Sequence, residues 1–300
     1  MNDPVAIYTE NLVKSYGRVE ALHGVNLEVH PGEIFGFLGP NGAGKTTTIR
    51  CLLDLIRPNG GTVRVLGLDP QSNPLEVRSR TGYLPGDLHV EDNATVESAL
   101  RYLNSLRGGK ADWGYVRRLA ELINLELKTQ IKNLSKGNKQ KVGIIQALMH
   151  RPELLLLDEP TFGLDPLIQH EVLELVSRAR AEGATVFFSS HILSEVKEIS
   201  DRVGIIRNGL VAEVAETETL IKRALSRVRI RFKHPVEAQN LANITGVSLL
   251  AQDDDQNVTL QVEGEMDALI KVLASYHVID FETEHPSLEE IFLAYYKEDK

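Results

Sequence analysis

The chain has 300 residues, 42% apolar and 25% charged, which is typical of a globular protein with one large or two modest domains. A formal charge of −9 from 33 basic and 42 acidic residues argues against a surface that binds nucleic acid as a whole. A single cysteine excludes an intrachain disulfide. The apolar runs are far shorter than the roughly 20 residues that cross a bilayer, and the N-terminal MNDPVAIYTENL lacks the pattern of a signal peptide. Any work at a membrane therefore needs another chain to span it.

The first part of the chain alternates β-rich runs with helical patterns. EIFGFL at 33–38 predicts a short strand, and GPNGAGKTTTIRCLLDLI follows it with helical spacing after Lys45. Apolar residues at i, i+3, i+4 and i+7 predict a helix over 93–107 and another from Val116. We therefore expect residues 93–150 to be mainly helical.

Two later runs complete the pattern of this region. LLLLD at 154–158 and TVFFS at 185–189 are apolar enough to predict buried parallel strands. Strands that alternate with crossover helices predict an α/β fold with a helical insertion.

After about residue 225 the sequence predicts a second, smaller domain. Its predicted elements are a strand at 227–234, a short helix at 236–243, strands at 247–252 and 257–262, a helix at 266–276 and a strand at 277–283. The order βαββαβ is that of a ferredoxin-like α+β domain. PSLEEIFLAYY then predicts a closing helix, with Pro286 near its start and Ser287 as N-cap.

The segment GPNGAGKT matches the phosphate-binding pattern G-x-x-x-x-G-K-[ST] at every position. Its glycines let the backbone bend around phosphate oxygens, and N–H groups at a helix N-terminus then face the anion. Lys45 supplies a charge for the β- and γ-phosphates, and the Thr46 hydroxyl can ligate Mg²⁺. The candidate cradle is Gly39, Pro40, Asn41, Gly42, Ala43, Gly44, Lys45, Thr46 and Thr47. The alternative, an ordinary glycine-rich turn, does not account for the strand before it and the helix after it.

Two carboxylates follow the predicted strand LLLLD. Asp158 can hold Mg²⁺, largely through water, and Glu159 lies one residue further on, where a base or a water-orienting group is needed. A solvated acidic pair would be the better interpretation of this dipeptide alone. After a complete phosphate-binding loop, the metal and catalytic interpretation is favoured.

With LSKGNKQKVG at 134–143, these motifs resemble the nucleotide-binding subunit of an ABC transporter over residues 5 to about 220. The C-terminal HPSLEEIFLAYY resembles the appendix on ATPase subunits of ABC-2-type exporters. The resemblance implies a P-loop NTPase fold of the ABC ATPase type over residues 1–224, with a helical subdomain at about 87–150. A small C-terminal accessory domain of α+β, ferredoxin-like type follows over 225–300. ATP and Mg²⁺ are the implied ligands.

The resemblance also assigns roles to single residues. It implies that Tyr16 stacks on the adenine ring and that His191, in SSH, contacts the γ-phosphate. It implies that Ser135 and Gly137, in the signature segment, reach the γ-phosphate bound by a partner chain in a head-to-tail dimer, and that Asp165, in GLDP, lies along that interface. A helix N-terminus with a hydroxyl and free N–H groups is a suitable anion site.

Two departures from the family pattern bear on these roles. Gly86 stands where the family has the Q-loop glutamine, so either Asp87 substitutes in the metal shell or the loop serves mainly as a flexible coupling element. Lys136 and Asn138 replace a glycine and a glutamine of the signature. The Lys136 cation either favours the partner's phosphate or points to solvent.

The motifs together predict an ATPase subunit that drives an exporter. The implied partners are a transmembrane permease subunit and a second ATP-binding subunit, either a copy of this chain or a close relative. The expected location is the cytoplasmic face of the cell membrane, and no nucleic acid partner is expected. Export, as the direction of transport, comes from the resemblance of the C-terminal region.

Three alternatives belong to other classes. A soluble ABC ATPase acting on ribosomes or DNA is disfavoured by the single phosphate-binding loop and the absence of CxxC. A small-molecule kinase leaves LSKGN, GLDP and SSH unexplained. A non-hydrolysing regulator is disfavoured because Lys45, Asp158, Glu159 and His191 are all present.

Other conspicuous residues carry weaker signals. Cys51, in the helix after the loop, is expected in the core. DDDQ at 253–256 lacks the glycine and glutamate of a calcium loop, which predicts a solvated turn. The scattered histidines with no metal-ligand spacing are His23, His30, His89 and His150.

Overall fold

The computed structural model describes residues 5–86, 93–223, 225–263 and 265–284. The chain divides into two compact units, Met1–Ala215 and Glu216–Lys300. The division at 215/216 falls nine residues before the predicted boundary at 224/225, because the short helix at Thr217–Arg223 groups with the second unit. Among the described residues, no helix has both the length and the apolar content needed to cross a membrane.

The first unit contains nine strands and seven α-helices within the described ranges. In chain order they are β1 (Ile7–Tyr16), β2 (Val19–Val29), β3 (Ile34–Leu38), α1 (Lys45–Leu52), β4 (Gly60–Val65), α2 (Pro74–Arg80), β5 (Thr81–Leu84), α3 (Val96–Leu106), α4 (Trp113–Leu122), α5 (Lys136–Leu148), β6 (Leu154–Asp158), α6 (Pro166–Ala181), β7 (Thr185–Ser190), α7 (Leu193–Ile199), β8 (Arg202–Arg207) and β9 (Leu210–Glu216). The second unit follows with α8 (Thr217–Arg223), β10 (Leu225–Phe232), α9 (Ala238–Ala242), β11 (Val247–Gln252), β12 (Asn257–Glu263), α10 (Asp267–Leu273) and β13 (Val278–Glu284).

A six-stranded sheet in the order β5-β6-β7-β3-β8-β9 forms the centre of the first unit. Strands β3, β6 and β7 are parallel and buried along their whole length, as the apolar runs predicted. Phe187 of β7 packs on Phe35 and Phe37 of β3, with ring centroids 5.7 and 5.2 Å apart. Leu38 is in register with Ser190, and Asp158 with Ser189. The loops that follow these three strands therefore begin at the same edge of the sheet.

A second, antiparallel sheet in the order β2-β1-β4 was not predicted as such. The register of β1 shifts between Thr9 and Leu12, and Asn11 has φ +48°. This bulge interrupts the alternation of apolar and polar residues by which a strand is recognised. The sheet shares one core with β3 and α1, in which Leu12, Phe35 and Ile49 are fully buried.

The helical insertion has the elements that its apolar spacing predicted. Helices α3, α4 and α5 begin after Thr95, Asp112 and Ser135, and each of these side chains accepts a hydrogen bond from a backbone N–H of the first turn. Helix α5 lies against β5 at Gly82, where a Cβ atom would stand 2.1 Å from the Ala147 carbonyl oxygen. The helix that carries the signature residues is thus packed closely on the central sheet.

The second unit has the predicted βαββαβ order, with a sheet ordered β11-β12-β10-β13 and antiparallel throughout. Ile230, Leu260 and Leu269 are buried in its core. In the turn at 253–256, Asp254 accepts hydrogen bonds from Asn257 and from the backbone N–H of Gln256, which lower the pKa of its carboxyl. The predicted closing helix at 286–296 lies outside the described residues.

The single cysteine occupies the core, as expected. Cys51 in α1 is 1% exposed, and burial raises the pKa of its thiol to about 11. A thiol with a raised pKa is poorly nucleophilic near neutral pH.

The close approach of α5 to β5 predicts a measurable effect on stability. Gly82→Ala is expected to lower the free energy of unfolding by about 1–3 kcal/mol, because the methyl group must displace the helix backbone. Gly60→Ala in β4 is the matched control, since its Cβ would meet only Val13 at 3.9 Å. Urea unfolding of both variants measures the difference, and equal stabilities would contradict the packing described here.

Candidate nucleotide site

The loop between β3 and α1 has the geometry of a phosphate cradle. Gly42 and Gly44 have φ of +81° and +113°, which glycine adopts without strain. Gly39 passes so close to the backbone of β8 that a Cβ atom would lie 2.3 Å from the Ile206 carbonyl oxygen. The glycines of this loop are therefore needed for the path of the chain. Helix α1 begins at Lys45, the residue after Gly44.

Lys45 is buried at the start of α1, and its ammonium is surrounded by oxygens. Nζ donates to the carbonyls of Gly39 (2.6 Å) and Pro40 (3.1 Å). It also lies 3.1 Å from Glu159 Oε1, a charge contact without hydrogen-bond geometry. The cation is thus held between its own loop and the carboxylate that follows β6.

Asp158 at the end of β6 combines burial with an unsatisfied oxygen. It is 1% exposed, its Oδ1 accepts from Ser189 Oγ at 2.7 Å, and its Oδ2 has no hydrogen-bond partner among the described residues. An unpartnered buried carboxylate oxygen is costly, and a cation would satisfy it. With the half-buried Thr46 hydroxyl it provides the hard oxygen donors that Mg²⁺ prefers.

The part of the chain that the structure describes holds no further cluster of metal ligands. No group of three or more His, Cys, Asp or Glu suited to a metal occurs in the described ranges. Mg²⁺ commonly keeps several waters and binds through one or two protein oxygens plus substrate phosphates. Asp158 and Thr46 fit this mode of binding. Asp87, the possible replacement for the Q-loop glutamine, lies outside the described residues.

Glu159 is held in one orientation by both its backbone and its side chain. Its φ is +51°, and its N–H donates to the carbonyl and hydroxyl oxygens of Ser189 at 3.2 and 3.0 Å. Its Oε2 is 2.8 Å from His191 Nδ1, which follows β7. One carboxylate therefore contacts Lys45 through one oxygen and His191 through the other.

The signature helix α5 is joined to the loop that carries Glu159. Gln140 is buried, and its Nε2 donates to the carbonyls of Glu159 (3.1 Å) and Pro160 (3.4 Å). A Cβ on Gly137 would stand 2.8 Å from the Gly163 carbonyl oxygen. The start of α5 is therefore packed directly on the loop after β6.

The remaining signature residues lie at the surface. Ser135 is exposed and accepts from the Asn138 N–H at 3.2 Å as N-cap of α5. Lys136 was expected either to favour a partner's phosphate or to point to solvent. Its Nζ lies 4.5 Å from the ring centre of Phe162 in the same chain, a cation–π contact.

Two predicted site residues make their described contacts away from this cluster. Tyr16 is 46% exposed at the end of β1, with Lys14 Nζ 5.3 Å from its ring centre. Asp165 is the N-cap of α6 and accepts from the Ile168 N–H at 3.1 Å. The residues that the structure brings together directly are Lys45, Asp158, Ser189, Glu159 and His191.

Ser189 and Gln140 were missed by sequence reasoning. The sequence places Ser189 only in the predicted strand at 185–189, and Gln140 only within the segment LSKGNKQKVG. Their contacts depend on strand register and on helix docking, which the linear pattern does not reveal.

Comparison with known proteins bears on both units. A family model described as "ABC transporter" matches residues 22–162, and one described as "ATP-binding protein DrrA1-3-like, C-terminal domain" matches residues 219–296. The bacitracin transport ATP-binding protein BcrA of Enterococcus faecalis is 40% identical over 220 residues, covering 72% of this chain and 71% of that protein. The daunorubicin/doxorubicin resistance ATP-binding protein DrrA of Streptomyces peucetius is 34% identical over 304 residues, covering 96% and 92%.

The chain belongs to the ATP-binding subunits of ABC transporters. Members of this family are ATPases that power transport. A solved ATP-binding subunit of an ABC transporter superposes on it with a TM-score of 0.66 and 31% identity, covering 72% of this chain and 91% of that one. A dimeric ATP-binding cassette bound to ADP and Pi superposes with a TM-score of 0.64 and 23% identity, covering 70% and 98%, and shows the fold. The expected P-loop NTPase fold of the ABC ATPase type is thereby confirmed.

In this ATP-binding subunit, the Ser189 hydroxyl donates to the Asp158 carboxylate and accepts from the Glu159 N–H. These two contacts lead to a prediction. Ser189→Ala removes the hydrogen bond that orients the Asp158 carboxylate, so we expect Mg²⁺-dependent ATP hydrolysis to fall by about 10–100-fold. The Mg²⁺ concentration for half-maximal rate should rise. Ser194→Ala, an exposed serine on α7, is the control. An unchanged Mg²⁺ dependence in Ser189→Ala would show that this hydroxyl does not support the metal site.

Proposed function

We propose that this chain hydrolyses ATP at the cluster of Lys45, Asp158, Glu159 and His191, and that it drives an exporter whose membrane-spanning part is a separate permease. The observation that carries the proposal is the Glu159 carboxylate, which contacts Lys45 on one oxygen and His191 on the other. A phosphate-binding lysine, a carboxylate and a histidine are thus brought to one edge of the sheet.

Lys45 links phosphate binding to the state of Glu159. A phosphate on residues 39–47 would compete with Glu159 for the ammonium, because both are anions. Glu159, released on that side, would then be available to orient or deprotonate the attacking water. His191 would hold the γ-phosphate, and the chemistry would consist mainly of positioning and charge stabilisation.

The metal site supports the same assignment. Thr46 and Asp158 would hold Mg²⁺, with Ser189 orienting the Asp158 carboxylate. Mg²⁺, when bound, neutralises charge on the phosphate oxygens. The exposed ring of Tyr16 would stack on adenine, a tolerant contact that gives weak selectivity for the base.

We infer that two ATP-binding subunits form a head-to-tail pair, either two copies of this chain or this chain with a close relative. Ser135 is exposed at the N-terminus of α5 and would offer its hydroxyl, together with Gly137, to the γ-phosphate bound by the partner. Asp165 is exposed at the start of α6 and would lie along the interface. A solved cassette of this fold is a dimer.

A groove in the first unit suits the permease. It has a volume of about 610 Å³ and a mainly apolar wall, to which Tyr83 and Pro85 and, from α3, Ala99, Tyr102 and Leu103 contribute. Tyr102 is 64% exposed, and Pro85 immediately precedes Gly86. We propose that a cytoplasmic segment of the permease docks here, which places this subunit at the cytoplasmic face of the membrane. The names of the two relatives concern bacitracin transport and daunorubicin/doxorubicin resistance, which supports a role in transport for this chain. Export, as the direction of transport, is supported by the match of its C-terminal region to the DrrA1-3-like domain.

The proposed role of Glu159 makes a specific kinetic prediction. Glu159→Gln should lower the rate of ATP hydrolysis by about 10²–10⁴-fold, because an amide cannot act as the base. ATP affinity should be kept or improved, since Lys45 loses a competing anion. Glu153→Gln, a matched change at an exposed glutamate just before β6, should leave both unchanged. Steady-state hydrolysis and equilibrium ATP binding measure the two quantities, and near-normal hydrolysis by Glu159→Gln would refute the assignment.

The proposed partner is tested by affinity capture. The tagged Glu159→Gln variant, supplied with ATP, is used to capture partners from gently solubilised native membranes. It should recover a multi-span membrane protein. Tyr102→Glu should reduce that recovery because it charges the groove, whereas Leu75→Glu, at an exposed leucine of α2, should not. Recovery of ribosomes or nucleic acid, with the chain absent from the membrane fraction, would instead favour a soluble ABC ATPase.

A further inference from the structure

A buried carboxyl lies beside the candidate site, and neither the motifs nor the proposed chemistry uses it. Glu195 is in the first turn of α7 and is 4% exposed. Its Oε1 is 2.5 Å from Thr161 Oγ1, and its Oε2 is 2.6 Å from Ser190 Oγ. Both carboxyl oxygens are therefore bonded to hydroxyls from two other segments of the chain.

Those two segments carry the residues of the proposed chemistry. Thr161 follows Glu159 by two residues, inside a turn closed by the Phe162 N–H on the Glu159 carbonyl at 3.2 Å. Ser190 immediately precedes His191 and accepts from the Ile192 N–H at 2.9 Å, so this turn encloses the histidine. Glu195 thus bridges the turn that holds Glu159 and the turn that holds His191.

The location of Glu195 is unfavourable for an ionised carboxylate. Burial raises the pKa of its carboxyl, the nearby Glu159 raises it further, and the two hydroxyl contacts and His191 act in the opposite direction. Replacing all partners of a buried hydrogen-bonded group with apolar side chains of the same shape can be nearly neutral or stabilising in proteins. A role in stability alone therefore gives a weak account of this side chain, whereas a role in holding the two turns together accounts for both of its contacts.

We propose that Glu195 is a positioning residue for ATP hydrolysis, which sets the distance and orientation between Glu159 and His191 by clamping Thr161 to Ser190. Glu195 makes these contacts through the hydroxyls and acts on the reaction only through Glu159 and His191. The inference rests on the proposed roles of those two residues. The Glu159–His191 contact of 2.8 Å is the geometry that the clamp maintains.

The kinetic test compares three variants of the full chain. Glu195→Ala should lower kcat by up to about 100-fold, the effect of a misplacement of about 1 Å, with little change in the KM for ATP, because the loss is confined to the transition state. Glu195→Gln should recover most of the rate, since an amide can accept from one hydroxyl and donate to the other. Glu198→Ala, on the same helix and paired with His170 at the surface, is the control and should behave as the wild type.

Two results would overturn the proposal. One is a kcat for Glu195→Ala equal to that of Glu198→Ala. The other is a parallel fall in kcat, ATP affinity and melting temperature, which would indicate a merely structural residue. Should Glu195→Ala fail to fold, the triple variant Thr161→Val, Ser190→Ala, Glu195→Leu replaces the whole network with apolar groups of similar shape, a change that can be nearly neutral for stability. A folded triple variant should have a lowered kcat, and a normal kcat would refute the clamp.

A direct readout separates this inference from the proposed function. The imidazole NMR signals of His191, assigned by their absence in His191→Gln, should shift in Glu195→Ala and stay in place in Glu198→Ala. That shift is expected whether or not the chain hydrolyses ATP under the conditions used. Unshifted signals would refute the clamp, whereas absent hydrolysis in the wild type with a shift present would count against the proposed function alone.

Discussion

The Glu159 carboxylate contacts both Lys45 and His191, and this arrangement depends on the order of three strands. Glu159 follows β6, His191 follows β7 and Lys45 follows the loop after β3, and these strands are neighbours in the order β6-β7-β3. Parallel strands bring their carboxyl ends to one edge, where ligands bind in open α/β sheets. Glu159 contacts both neighbours from a backbone turned to φ +51°, a conformation that costs about 1–3 kcal/mol in a non-glycine residue. The two hydrogen bonds from its N–H to Ser189 offset that cost.

Hydrogen bonds from three other elements hold the loop after β6 in place. Gln140 of α5 donates to the Glu159 carbonyl, Ser189 of β7 accepts from the Glu159 N–H, and Glu195 of α7 accepts from Thr161. The rate of a reaction falls when a catalytic carboxylate is displaced by about 1 Å. The polar residues buried around this loop therefore keep one geometry, and the apolar strands beneath it supply most of the stability.

The sequence was informative where chemistry is encoded by local spacing. The strand runs, the phosphate-binding loop and the Asp158–Glu159 pair could be located because each depends on residues within a few positions of one another. The sheet β2-β1-β4 could not, since the bulge at Asn11 breaks its alternation. The Ser189–Asp158 bond could not either, because it requires the register of β6 against β7. Long-range contacts of this kind are fixed by how elements pack, and a linear pattern holds no measure of that packing.

Gly86 stands where the sequence resemblance implies a glutamine, and this position brings no side chain to the site. Gly86 lies beside the proposed metal ligand, since a Cβ at this position would stand 3.2 Å from Asp158 Oδ2. Because glycine has no side chain, residue 86 offers only backbone groups there. The described contacts between the groove and Glu159 run through two elements: β5, whose Leu84 pairs with Leu157 of β6, and α5. This helix packs on β5 at Gly82, beside the groove wall formed by Tyr83, and its N-terminal half binds the Glu159 carbonyl through Gln140. A packed helix transmits displacement because protein interiors are dense and resist compression. A displacement at the groove would therefore reach the loop that carries Glu159 through packed strands and helix, even though residue 86 has no side chain to carry it.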